Sequence, residues 1–362
     1  MTEITAKLDL LRGLLAVHDL DAILLRRVAN FAWLTDGATG YVNTAADFGA
    51  ASLLATRDCH YVVTSNIEAP RLEAEESLHA QGFRFQVEPW HKSGQALAEL
   101  TRGLRLGADA PHPAASDLSA DVNRLRLTLT PAEGERFRTV GRICAEAMNA
   151  AIRQVRPGMS EYAMAAALSR ETQARGAQPI VLLAAADERI FRFRHPLPTD
   201  KRLERYAILV LGARKFGLVG SISRLIHFGP LPEELRRKER ACAQIDAVFI
   251  GRTRPGARIA DIFQAAVETY AAEGFADEWQ LHHQGGAAGY LPREFVGSPT
   301  SDQVVQAGQA YAWNPSISGV KSEDTILIGP AGNEILTAIP DWPMIAATAA
   351  GQTWQRPAIL QI

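Results

Sequence analysis

The chain is poor in cysteine. Only Cys59, Cys144 and Cys242 occur among 362 residues. They are odd in number and far apart, so neither a disulfide framework nor a closely spaced metal motif is present, and a reducing, cytoplasmic setting is expected. A surplus of charge is missing too: 38 Lys and Arg stand against 40 Asp and Glu, a formal net charge of -2. Nucleic acid is therefore not an expected partner, since it would need a concentrated basic face. The Arg-rich stretch at 232–240 is interleaved with Glu233, Glu234 and Glu239 and reads as a solvated helix face. No apolar run is long enough to cross a bilayer. The start, Met1-Thr2-Glu3, lacks the basic region and apolar core of a signal peptide.

What is present is a globular composition, 47% hydrophobic and 22% charged, on a chain long enough for two domains. Ile4, Leu8, Leu11 and Leu15 recur at helical spacing. Strands are expected at 21–25, 51–55, 60–64, 83–87 and 104–108. Helices are expected at 67–78 and 93–102, with a helical turn at 28–33 and a loop at 109–117. This alternation predicts a compact α/β domain over 1–128. A second domain, 129–362, opens at Thr130-Pro131-Ala132-Glu133, which has the pattern of a helix N-cap and capping box.

Within the second domain a phrase repeats. Cys144-Ala145, Arg156-Pro157-Gly158 and Gly176 recur as Cys242-Ala243, Arg254-Pro255-Gly256 and Gly274, each 98 residues on. A register kept through three landmarks indicates an internal duplication, with halves at about 130–229 and 230–340. Between them lies an apolar run, 207–211, then Gly212 to Gly217 as a hairpin connection, then a returning strand from Leu218 with Ser221, Ser223 and Arg224.

This hairpin and the duplication resemble the pita-bread family: methionine aminopeptidase, aminopeptidase P, prolidase and creatinase. The resemblance covers about 130–336 and implies an α+β fold with an internal pseudo-two-fold. More loosely, the first domain resembles the extra α/β domain of the prolidase, aminopeptidase P and creatinase branch, which implies a homodimer. In the metallopeptidases two Asp, one His and two Glu hold two metal ions. The resemblance puts Val210, Ser221, His283, Asn314 and Glu323 at those positions. One carboxylate and one imidazole do not hold a pair of ions about 3.5–4 Å apart. No dinuclear site and no cofactor is therefore expected, and a single Zn through His283, His282 and Glu323 is the weaker alternative.

His195, in Arg192-Phe193-Arg194-His195-Pro196, falls where the family has a proton-handling histidine ahead of the hairpin. His283 with Gly286 fits the family's histidine-glycine spacing, and so does His282 with Gly285. Tyr290 lies near the place of a further family histidine, followed by Arg293 and Glu294. Asn314 precedes Pro315 where the family has a glutamate, and Glu323-Asp324-Thr325 matches the last motif. His195, His283 and Glu323 are thus the expected catalytic residues. Ser221, His282, Tyr290, Arg293, Trp313 and Asn314 are expected to meet a small-molecule or short-peptide ligand. Three functions are compatible with this: a metal-independent, creatinase-like hydrolase of a C–N bond in an amidine, guanidine or amino-acid-derived compound; an inactive binding module; or an atypical Xaa-Pro peptidase. In the first, Glu323 would meet a substrate cation.

Overall fold

In the computed structural model, which describes residues 2–330 and 332–362, the chain divides into two units. One runs to Ala132 and includes Phe216–Leu218; the other comprises Glu133–Lys215 and Val219–Ile362. The first unit holds α1 (Glu3–Val17), β1 (Ala22–Arg27), α2 (Val28–Leu34), β2 (Phe48–Thr56), β3 (His60–Ser65), α3 (Ala69–Ala74), β4 (Arg84–Glu88), α4 (Gln95–Leu100), β5 (Leu106–Ala108), β6 (Ala115–Asp117) and α5 (Ser119–Arg126). Its strands form one mixed sheet in the order β4-β3-β2-β1-β5-β6. The apolar stripe of α1 is buried, and Thr2 caps it by accepting from Thr5 N. Two helices are shorter than expected, β6 falls in the stretch that sequence read as a loop, and α5 falls in 118–126, where no element was expected. Neither has the long apolar period that makes a segment legible.

Apart from Pro131, Ala132 and Leu218, the second unit comprises α6 (Pro131–Ile152), α7 (Glu161–Ala174), β7 (Gln178–Ala186), α8 (Glu188–Arg192), β8 (Tyr206–Lys215), β9 (Leu218–His227), α9 (Glu233–Arg252), α10 (Ile259–Ala272) and β10 (Gly285–Ala288). It continues through β11 (Phe295–Val296), β12 (Ala310–Trp313), β13 (Ser316–Ile317), β14 (Val320–Lys321), β15 (Asp324–Ile328), β16 (Asn333–Ile335), β17 (Met344–Ala349), β18 (Gln352–Pro357) and β19 (Leu360–Gln361). Helices α7 and α10 share a length and an offset of 98 residues (161 to 259, 174 to 272). The glycines before them, Gly158 and Gly256, share φ +88°.

Two sheets carry the centre of this unit, β19-β9-β8-β7 and β11-β10-β12-β15-β16. They join where β9 meets β15. Ser221 N donates to Thr325 Oγ1 at 2.8 Å, Thr325 Oγ1 donates back to Ser221 O at 3.0 Å, and Ser223 bridges to Glu323. The β8–β9 hairpin corrects the sequence reading. Gly212 to Lys215 belong to β8, and the connection is Phe216-Gly217 alone, both at positive φ. Two left-handed residues make the tight turn that suits strand twist. Gly212 serves a different need: a Cβ there would meet Val181 Cβ at 3.0 Å on the neighbouring strand.

Candidate active site

A cavity of about 120 Å³ opens among these strands and the loops that follow them. Apolar residues Val181, Leu183, Val210 and Leu211 form one wall; His195, Ser221, His283, Arg293, Asn314, Lys321 and Glu323 supply the polar lining. Residues from separate chain segments are gathered because β7 and β8 pair Leu183 with Val210, β12 and β15 pair Trp313 with Asp324, and the Ser223–Glu323 bridge ties β9 to β15.

Glu323 is the centre of the polar wall. It is 3% exposed. One carboxylate oxygen takes Arg293 Nη2 at 2.9 Å; the other takes Lys321 Nζ at 2.8 Å and Ser223 Oγ at 2.5 Å. Burial by itself would raise its pKa, but Lys321 and Arg293 override that and hold it well below the ordinary carboxylate range. Glu323 is thus not open to a substrate cation, as the sequence reading had it, since two side-chain cations already neutralise it. Lys321 is the residue that sequence reasoning missed. It stands two positions before Glu323 on a short extended segment, and a spacing of two puts both side chains on one face. Arg293 also donates to Ser221 Oγ at 3.3 Å. Arg293 Nε and Asn314 Oδ1 are buried without a hydrogen-bond partner, and the wall as a whole carries two cations against one anion.

The three histidines lie side by side. His195 Nε2 and His282 Nε2 are 3.0 Å apart, and His282 Nδ1 lies 3.3 Å from Ser316 Oγ. His283 Nδ1 accepts from Gly285 N at 3.3 Å. Burial first, and Lys321 or Arg293 next, push all three pKa values down: His282 to about 2, His283 to about 4, and His195 below its ordinary value. All three are neutral near pH 7. Two registers were open for the histidine-glycine motif. His283 lines the main cavity, whereas His282 turns toward His195 and a smaller adjoining cavity. Among the described residues, these three histidines form the group whose ligand atoms all lie within 4.8 Å of one another.

Two expected ligand contacts are absent from the cavity. Tyr290 is 2% exposed and donates its hydroxyl to the buried Glu133 at 2.6 Å. Trp313 stacks on Phe249 with ring centroids 4.6 Å apart and donates Nε1 to Thr253 Oγ1 at 2.9 Å. Both aromatics serve packing, because the helices that cover them, α6 and α9, are distant in sequence. Phe193 is 45% exposed and Tyr311 is fully buried.

Behind Glu323 is a second buried network. Asp324 accepts from Arg224 Nη2 at 2.8 Å and Arg356 Nη2 at 2.7 Å; Asp246 accepts from Arg356 Nε at 2.8 Å and Ser322 Oγ at 2.5 Å. It grips both neighbours of Glu323 and so fixes where that carboxylate points.

The sequence model of metallopeptidase family M24 matches residues 135–330. The uncharacterized peptidase YqhT of Bacillus subtilis (strain 168) is 24% identical over 353 residues, covering 92% of this chain and 98% of that protein. Among solved structures, the prolidase of Pyrococcus horikoshii OT3 superposes with TM-score 0.79 at 20% identity, covering 92% of this chain and 98% of that one. The Xaa-Pro dipeptidase of Bacillus anthracis superposes with TM-score 0.77 at 19% identity, covering 99% and 100%. The described residues contain no helix long and apolar enough to cross a membrane.

Proposed function

The chain belongs to metallopeptidase family M24, and from that premise we propose that it hydrolyses a C–N bond without the family's metal pair, in a small neutral or acidic amino-acid-derived compound. The observation that carries this reading is the double ion pair of Glu323 with Lys321 and Arg293. A pair of hard dications needs several anionic oxygens. The cavity offers one carboxylate, whose oxygens already face two cations, beside Val210, Ser221 and Asn314. These residues do not fit two dications. They fit a site in which side-chain cations do the electrostatic work.

In this mechanism His195, neutral at pH 7, takes a proton from water as the water oxygen bonds to the substrate's carbonyl carbon. Arg293, with Lys321 on the other oxygen of Glu323, stabilises the negative charge that gathers on the carbonyl oxygen. His195 then returns the proton to the leaving nitrogen as the C–N bond breaks. His282, hydrogen-bonded to His195, orients that ring. A guanidine or amidine substrate is disfavoured, since it would bring a third cation to the wall. We further propose a cytoplasmic homodimer.

A second reading rests on the same ion pairs: Glu323 is saturated by three partners, which suits a binding module without turnover. The test is a panel of small amides, amidines and Xaa-Pro dipeptides, each with chelator and with added Mn2+. Turnover that persists in chelator and disappears in His195→Ala is expected. Turnover that requires Mn2+ would replace this proposal with an atypical Xaa-Pro peptidase, and peptide binding without any turnover would replace it with the binding module.

A further inference from the structure

The three imidazoles are placed for a task beyond proton transfer. Zinc holds histidine nitrogens at about 2.0–2.1 Å, so two of them on one tetrahedral ion lie roughly 3.4 Å apart. His195 and His282 already stand at 3.0 Å, and the widest separation within the group is bounded by 4.8 Å. Small rotations close that gap. The rings sit on two loops, around residues 193–200 and 282–284, and His195 and His283 are exposed, which gives an ion a way in. His282 Nδ1 faces Ser316 Oγ, the kind of outer partner that orients a ligating histidine. Ser316 is in turn anchored through its backbone N–H to the Tyr270 hydroxyl at 3.0 Å.

We propose that His195, His282 and His283 bind a single borderline ion, Zn2+ or Ni2+, and that the ion inhibits the chain by taking His195 out of proton transfer. The inhibitory half rests on the role given to His195 above; the binding half does not. The site differs from a zinc site built on Glu323, because that carboxylate is spent on Lys321 and Arg293. The His195–His282 contact holds one proton between two Nε2 atoms. On metal binding it moves to Nδ1 of its own ring, where Ser316 Oγ accepts it if that ring is His282. His283 gives up its long contact with Gly285 N. With three neutral nitrogens and no carboxylate, the donor set selects zinc or nickel over manganese and magnesium. The nearby cations oppose any dication, so affinity is set by imidazole bonds against that field.

Calorimetry on chelator-treated, desalted protein at pH 7.5 tests the site, with ZnCl2 or NiSO4 against MnCl2 or MgCl2. One Zn2+ or Ni2+ per chain is expected, with no heat from Mn2+ or Mg2+. His195→Ala and His283→Ala, both at exposed positions, should each weaken binding roughly tenfold or more, and Lys321→Met should tighten it. Absence of zinc binding, or binding unchanged in the His195→Ala/His283→Ala double variant, overturns the site. Calorimetry needs no substrate, so the hydrolase reading fails separately: a chain that binds one zinc yet turns nothing over keeps the site and loses the hydrolase. Full turnover at saturating zinc overturns the inhibitory half.

Discussion

At the scale of single residues, Lys321 decides how the cavity behaves. It is 8% exposed and pairs with a carboxylate that is 3% exposed. Lys321→Met leaves Glu323 with Arg293 as its remaining cation, so it should lower stability by about 2 kcal/mol in urea unfolding, the worth of a hydrogen bond between charged groups. The Lys321→Met/Glu323→Gln double variant leaves Arg293 without its carboxylate and should be less stable than the single; a double variant that regains the parent's stability would show that Arg293 does not depend on Glu323. His282 gives a second prediction. Its folded pKa of about 2 lies below the ordinary 6.5, chiefly through burial and then Lys321. The unfolded chain thus binds more protons below pH 6.5, so stability is complete above that pH and falls as the pH falls. The contribution lost between pH 7 and pH 5 is about 2 kcal/mol. Thermal unfolding followed over that range should show the decline, and His282→Gln should lessen it, leaving the share that His283 and His195 contribute.

At the scale of elements, the paired turns before α7 and α10 isolate a backbone effect. Gly158 and Gly256 both have φ +88°, and at neither would a new Cβ meet an atom within 4 Å. Only the left-handed backbone opposes a side chain, so Gly158→Ala and Gly256→Ala should each cost about 1 kcal/mol, and by similar amounts. A cost at one turn and none at the other, measured by urea unfolding, would separate the two turns. These turns were legible in the sequence because Pro-Gly after an apolar stripe signals a helix end whatever surrounds it. The extent of β8 was not legible: Gly212 and Gly217 look alike as letters, yet one is a close approach of strands and the other a turn. Tyr290 and Trp313 were misplaced for a related reason. An aromatic beside a site motif points into the cavity or into the core according to helices far away in the chain, here α6 and α9. His195, His283, Arg293, Asn314 and Glu323, which all line the cavity, could be picked out because each lies within a short motif, whereas Lys321, at the head of the Glu323 motif, was given no role.

At the scale of the whole molecule, a net charge of -2 conceals charges that the fold buries. Arg224, Arg356, Asp246 and Asp324 are each at most 3% exposed. They form a balanced set of two cations and two anions, drawn from β9, α9, β15 and the C-terminal β17–β18 hairpin. That hairpin also packs Ala347 and Ala349 against Ala247 and Val248 of α9, so Arg356 bonds the end of the chain to the segment that carries Glu323. Arg356→Met would leave two buried carboxylates facing one arginine. The expected cost at pH 7.5 is about 3 kcal/mol. Its pH dependence identifies the cause. Burial raises the Asp246 carboxyl already, and Arg356 is the first influence that holds it down; without Arg356 the folded variant takes up a proton there more readily than the unfolded chain does. A group whose folded pKa is raised favours the folded state as the pH falls. The gap between Arg356→Met and the parent chain should therefore narrow from pH 7.5 to pH 5.5, while the His282 contribution, common to both proteins, cancels in the difference. Urea unfolding of both proteins at the two pH values measures this gap. A gap that stays constant would mean that Arg356 acts through packing of the hairpin and not through the charges it separates.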